Sequence, residues 1–453
     1  MPAEDTTASP KGPAHDDIAA LYATLQEEVR WTDVSAERRL VRRPGVRGAL
    51  AYAVKRLARS SPRVTGPPPA LDKVARPRRR ASRVSVAYYS PMPPDRSGIA
   101  DYSVLLLRAL KQRLDIEVAP RGKHADGDVA LYHVGNDPDV HGWIVERLRR
   151  EPGIVVLHDF VLHHLVASLT LGRKDNAGYL AALERDSGLA GRLLGLGVID
   201  GCIPPLWEVR AEDFPLCDEV LDHATGLIVH SRYVEQRVRG RGYDRPVWRI
   251  QHPAWPAPDI RPERLPGEPV FGAFGNLNDT KRIPQVLEAF AHFRESQPSA
   301  RLLLVGAVGV GARIERFGKA DAVVREGYVD EDRLWALIAG VDAVISLRSP
   351  TMGETSGTAI RALSLGKPLL VSDVGWFSEL PGDVAVKVAP GDGEVERLAL
   401  ALETLSDPAV RERMGANARA LAAEHDVERV AGLYASALQE AVGGVRALSA
   451  AQH

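Results

Sequence analysis

The sequence predicts an α/β protein made of two doubly wound, Rossmann-like domains facing each other across a cleft, with a basic N-terminal extension. Three observations predict it. Short β-rich runs alternate with helical stretches from about residue 82 onward, as parallel sheets covered by helices require. The runs form two groups, and the segment between them, HPAWPAPDIRPERLPGEPV, carries six prolines and reads as a linker. At 453 residues the chain also exceeds what one hydrophobic core usually supports, so two domains are the natural division.

Residues 1–81 form the extension. The first sixteen or so are polar and Pro/Ala-rich, a composition expected to stay disordered. DDIAALYATLQEEVRW reads as a helix behind an Asp cap, with Ile18, Leu21, Leu25 and Val29 on one face. GALAYAVKRLARS reads as a basic, mildly amphipathic helix, and the prolines and arginines that follow it cannot pack. Arg38 to Arg83 contain fifteen Lys or Arg against Asp72 alone, a charge of +14, so the formal net charge of -1 leaves about -15 on the rest. Such an arm either is a solvated tail or attracts anionic lipid headgroups as a peripheral membrane contact. Nucleic acid is disfavoured, because aromatics are not interleaved with the arginines.

In the first domain, 82–253, the candidate strands are RVSVAYY, VALYHV, IVVLHD, GLIVHS and PVWRIQH. After the linker, 254–268, the second domain, 269–424, offers VFGAFG, RLLLVG, AVVREGYV, DAVISLR, PLLVSD and VAVKV. An amphipathic helix at 425–445 has no strand after it and must dock on something already built. Residues 446–453 are a tail. Two cysteines, Cys202 and Cys217, match neither zinc-ligand nor disulfide spacing and favour a reducing compartment. No signal peptide and no membrane-length apolar run is visible, so the expected location is cytoplasmic, with at most a peripheral place at the inner face of the membrane.

Polar and glycine-rich residues gather just after the strands, where open parallel sheets bind ligands. The most informative stretch is DAVISLRSPTMGETSGTAIRALSLGKPLLVSDVGWFSELPGD. Thr355, Ser356 and Gly357 would start a helix and present free backbone N–H groups to an anion such as pyrophosphate. Glu354 beside them suits sugar hydroxyls or a developing positive charge; the plainer reading is a capping segment favoured by the helix dipole. In FGAFGNLNDTKRIPQVLEAF, Lys281 and Arg282 follow a strand ending at Gly275 and could neutralise a departing diphosphate, or be a solvated helix end. Ser97 and Gly98 offer another helix start. No Walker loop or G-x-G-x-x-G after a strand supports an ATPase or a nicotinamide enzyme. In IVVLHDFVLHHL, His158 ends a strand and could bond a hydroxyl or exchange a proton. Metal ligation by His158, Asp159, His163 and His164 is the competing reading, disfavoured because the strand-to-helix change separates them. His133, His230 and His252 also end strands, where structural hydrogen bonds are expected.

Together these segments resemble the retaining family 4 glycosyltransferases, over about residues 83 to 445. SPMPPDRSGIADYS resembles that family's glycine-containing first loop. GNLNDTKRIPQVLEAF resembles its G-R-L-x-x-x-K-G segment, and PTMGETSGTAIRALSLGKPLLVSDVGWFSEL its donor signature. The resemblance implies the GT-B fold, a terminal helix crossing back to the first domain, and metal-independent transfer with retention from a nucleotide-diphosphate sugar, UDP- or GDP-linked, to a glycan, lipid-linked or small-molecule acceptor. It implies that Lys281 holds the donor phosphates, that Glu354 lies near the transferred sugar and that His158 lies beside the reacting centre. A leaving phosphate oxygen would take the acceptor proton. The chain departs from the pattern at three places: Asn276 stands for a phosphate-binding Arg, Arg282 for a Gly, and Arg361 or Ala362 for the second signature glutamate. Arg282 is expected to restore the cation lost at Asn276, and Arg361 to face the cleft and alter nucleotide binding. The alternatives are another GT-B enzyme, an epimerase or phosphorylase, and a catalytically silent nucleotide-sugar binder.

Overall fold

The computed structural model describes residues 83–95, 97–308 and 322–451, with side chains to residue 443. The basic arm, its two candidate helices and the membrane contact expected of it lie outside the described residues.

Six parallel strands form the first sheet: β1 (Ser85–Tyr89), β2 (Asp115–Val118), β3 (Val129–Val134), β4 (Gly153–Leu157), β5 (Ala224–Val229) and β6 (Val247–Arg249), in the order β2-β1-β3-β4-β5-β6. The second sheet repeats the plan with β7 (Val270–Phe274), β8 (Arg301–Val305), β9 (Val323–Glu326), β10 (Ala343–Ser346), β11 (Leu369–Ser372) and β12 (Ala385–Val388), in the order β12-β11-β10-β7-β8-β9. Helices cover both faces of each sheet, so central strands such as β4, GIVVL, are buried along their whole length. Sequence reading missed β2. Its residues, DIEV, alternate between exposed and half-buried at the sheet edge and carry no apolar run.

The order of strands fixes where ligands can sit. In the first sheet the chain moves outward from β1 to β2, then returns to place β3 on the other side of β1. In the second it moves from β7 to β8 and β9, then returns to place β10 on the other side of β7. Loops at such a reversal splay apart and leave a crevice at the strand ends. The loops after β7 and β10, which hold Lys281 and Glu354, flank the reversal of the second sheet.

The chain leaves the first sheet beside the point where it returns. The Ala254 N–H donates to the His425 carbonyl at 2.7 Å, and Ala254 bridges Asp426 in parallel. Before that return, the helix Pro408–Glu424 buries Ala418 and Ala422 in the second domain's core. After it, the helix Val427–Ala451 places Val430, Ala431, Tyr434 and Leu438 in the first domain's core. The Tyr434 and Tyr102 hydroxyls share a 2.6 Å hydrogen bond there. No helix among the described residues is long and apolar enough to cross a membrane.

Candidate active site

The candidate site in the second domain is built from two loops of its sheet. Gly275 follows β7 with φ +91°, and a Cβ there would lie 2.5 Å from Lys281 Nζ, so glycine is what lets that ammonium fold back over the strand end. Lys281 Nζ donates to the Phe274 carbonyl at 2.6 Å. Loss of hydration and then the positive charge of Arg348 hold its pKa well below 10.5, against the opposing pull of Glu354. Asn276 is exposed.

Glu354 is fully engaged. Its Oε1 accepts from Arg348 Nε at 2.7 Å, and its Oε2 accepts from the Met352 N–H at 2.7 Å and the Thr351 hydroxyl at 3.1 Å. Ser356 caps the helix Gly357–Ser364, its Oγ accepting from the Ala359 N–H at 3.2 Å, while the Thr355 hydroxyl is buried without a partner. Lys281 and Arg348 thus stand near one carboxylate, within the same strand-end loops as a helix N-terminus. Arg348 was not singled out in the sequence; its only signal is a cation placed directly after a buried strand.

Two residues expected to face the nucleotide are paired with acids. Arg282, with φ 56°, pairs with Glu394 at 2.5 Å, and that carboxylate is 3% exposed. A buried acid at the start of another helix takes this guanidinium, so Arg348 rather than Arg282 stands beside Lys281. Arg361 is 5% exposed, lies 3.9 Å over the Trp255 ring, and pairs with Glu331 at 2.9 Å and with Asp101 of the first domain at 3.4 Å. Its charge is neutralised in an aromatic and acidic clamp across the domains.

On the first domain, Ser97 caps the helix Gly98–Leu110 by accepting from the Ile99 N–H at 3.2 Å, and Gly98 at its start is exposed. His158 follows β4, and its Nε2 shares a 2.9 Å hydrogen bond with His133 Nδ1. Burial, then the neighbouring histidines, holds His158 well below 6.5, so it is neutral at pH 7. No three His, Cys, Asp or Glu among the described residues form a group able to hold a metal ion. His163 instead bonds the Phe214 carbonyl and the Tyr179 hydroxyl.

The loop carrying Glu354 is also where the domains meet. The Phe160 and Val161 N–H groups donate to the Met352 carbonyl at 2.7 and 2.9 Å, and the Thr351 N–H donates to Glu212 at 2.9 Å. Glu379 accepts from the Arg232 and Tyr233 N–H groups at 3.0 and 2.6 Å, at the start of the helix Arg232–Gly240. Neither Glu212 nor the clamp residues Asp101 and Glu331 carried a sequence signal.

Residues 258–421, which contain both of these loops, match the family model described as glycosyl transferases group 1. No curated protein matches the chain. Among solved structures it is similar to HepE of Anabaena in complex with UDP, with 16% identity, 79% of this chain and 100% of that one covered, and a TM-score of 0.51. It is similar to the sucrose-phosphate synthase of Thermosynechococcus elongatus at 18% identity, 80% and 100% coverage and a TM-score of 0.50. Likeness to the GtfA/B complex is weaker, at 14% identity and a TM-score of 0.45, and the chain covers only 62% of that chain. Two parallel six-stranded sheets joined in this way are the GT-B fold. The match to the group 1 glycosyl transferase model falls on the second of these sheets.

Proposed function

We propose that the protein is a retaining glycosyltransferase that takes a hexosyl group from a UDP- or GDP-sugar, without a divalent metal, and passes it to a hydroxyl of a glycan, lipid-linked or small-molecule acceptor. The observation that carries this reading is the placement of Lys281 and Arg348 beside Glu354 at the second sheet's strand reversal. A diphosphate placed there meets two cations and the N–H groups of the helix Gly357–Ser364, which stabilise it as its bond to the sugar breaks. That is the work a divalent metal would otherwise do. Glu354, fixed by three hydrogen bonds, stands beside the sugar, where an oxocarbenium-like state develops. Neutral His158 presents a ring to the acceptor side, and domain contact through Met352 keeps water from the donor.

HepE, which shares the fold, is seen with UDP and with UDP and glucose, so uridine nucleotides are the first to try. A thermal-shift screen with UDP-, GDP- and dTDP-sugars identifies the donor, because a bound ligand raises the melting temperature by mass action. Glu354→Gln is expected to lower nucleotide release from that donor by about 100-fold or more while leaving nucleotide affinity within a few-fold. Unchanged turnover would remove Glu354 from the chemistry. Saturable binding with neither transfer nor hydrolysis would instead identify a silent binder.

A further inference from the structure

Arg361 sits one turn into the helix Gly357–Ser364, about 6 Å beyond Gly357 along the axis. Its guanidinium folds back toward the helix start. Nη1 donates to the Gly357 carbonyl at 3.4 Å, and a Cβ on Gly357 would lie 3.3 Å from the same nitrogen. Nη2 donates to Glu331 Oε1 at 2.9 Å and to Asp101 Oδ2 at 3.4 Å. Where the donor signature would put a glutamate, the chain thus has an arginine that holds a glutamate from another helix.

Glu331 opens the helix Glu331–Gly340, behind the cap at Asp330. Trp335 Nε1 donates to the same Oε1 at 3.4 Å, so both bonds fall on one oxygen, and no hydrogen bond among the described residues reaches Oε2. Arg333, on the same helix, pairs with Glu263 and Glu326 instead. The Arg361 side chain is 5% exposed and that of Glu331 47% exposed, so a buried cation fixes a carboxylate that opens to solvent.

We propose that Glu331 takes the ribose of the donor nucleotide, its Oε2 accepting a hydrogen bond from a ribose hydroxyl. This rests on the transferase reading above and adds the nucleoside end of the donor to it. With a diphosphate on the N–H groups at Gly357, the transferred sugar lies toward Glu354, before the helix cap, and the nucleoside lies on the other side. Ribose follows directly on the first phosphate, so it falls within about one helical turn of Gly357, where Arg361 holds Glu331. A carboxylate accepts hydrogen bonds and offers none, which suits hydroxyls and not phosphate oxygens. Acids take ribose hydroxyls in this way beside the strand ends of other doubly wound sheets. Asp101 fits less well, because it belongs to the first domain and meets Arg361 at the longer distance, whereas Glu331 shares its domain with Lys281 and the helix Gly357–Ser364.

The test compares UDP with 2′,3′-dideoxy-UDP by calorimetry on the full chain, with GDP and 2′,3′-dideoxy-GDP run in parallel. Wild type is expected to prefer the ribose form by about tenfold or more, since a site that accepts from a hydroxyl is left with an unpaired oxygen when the hydroxyl is missing. Glu331→Ala should bring the two forms within about threefold of each other. The ratio is the readout, because freeing Arg361 from one acid alters its pull on any diphosphate and moves both affinities together. Asp101→Asn frees it from the other and should keep the wild-type preference. A wild type that binds both forms alike overturns the proposal, as does an undiminished preference in Glu331→Ala. A preference lost in Asp101→Asn and kept in Glu331→Ala overturns it too and gives the ribose to the first domain. Absence of both UDP and GDP binding overturns the transferase reading itself.

Discussion

Lys281→Met is expected to weaken nucleoside diphosphate binding by about 2–5 kcal/mol, a loss of some tens- to thousands-fold, while the unliganded variant melts at or above the wild-type temperature. Both effects have one cause. In the free protein the ammonium is stripped of water and stands beside Arg348, so its pKa lies well below 10.5. An unfolded chain holds that proton more readily than the folded one, and Lys281 therefore costs stability below pH 10.5, the more so as pH falls toward its folded value. A diphosphate supplies the missing counter-charge and raises the pKa again. Binding must then take up a proton wherever the free lysine is partly neutral, and affinity must fall as pH rises through that range. Calorimetry with UDP at about pH 8.5, in two buffers of different ionisation enthalpy, reads this directly. The wild-type heats should differ between buffers, and those of Lys281→Met should not. A variant that binds UDP within threefold of wild type removes Lys281 from the phosphate site.

The same lysine shows what could be read from the chain alone. A glycine-ended strand, a polar loop and a cation before a helix form a contiguous pattern, so the sequence locates Lys281, and likewise Glu354 before the cap at Ser356. The two doubly wound sheets were legible for a similar reason. Buried parallel strands are apolar throughout, whereas β2 carries Asp115 and Glu117 at an edge and hides in the helical background. Side-chain partners are another matter. Nothing in KRIP says that Arg282 will be claimed by Glu394, 112 residues on, and nothing around Arg361 announces Trp255 or an Asp101 lying 260 residues earlier. A cation's sequence neighbours set its position on the backbone, but its charge is neutralised by whatever the fold brings near. Arg348 gains its role through that long-range logic, because it meets Lys281 only when β7 and β10 pair.

Acidification toward pH 4.5 is expected to unfold the first domain, because the chain buries a ring of neutral histidines there. His133, His158, His230 and His252 surround the Tyr102 ring with centroids 4.8 to 5.7 Å away, and His141 bonds the His133 carbonyl behind them. The Nε2 atoms of His133 and His230 are buried without partners, so a proton added there finds no acceptor. Burial brings His141 and His230 from 6.5 to about 4, and holds His133, His158 and His252 well below 6.5. With the folded values below the unfolded one, the folded state binds fewer protons as pH drops under 6.5. Stability present above 6.5 is lost progressively down to about 4. At about 1.4 kcal/mol per pH unit, His141 and His230 alone, 1% and 5% exposed, each remove on the order of 3 kcal/mol. Together the two reach the lower end of a whole domain's stability, about 5–15 kcal/mol. The helix Val427–Ala451 should detach in the same step, since its Tyr434 bonds Tyr102 at the centre of the ring. Melting temperatures by circular dichroism at about pH 7.5 and about pH 4.5 give the readout. The double variant His141→Asn with His230→Asn keeps a donor toward each bonded carbonyl but cannot take up the proton, and it should show a smaller drop between the two pH values than wild type. Equal melting temperatures for wild type at both would mean that the buried ring does not set the acid limit of the fold.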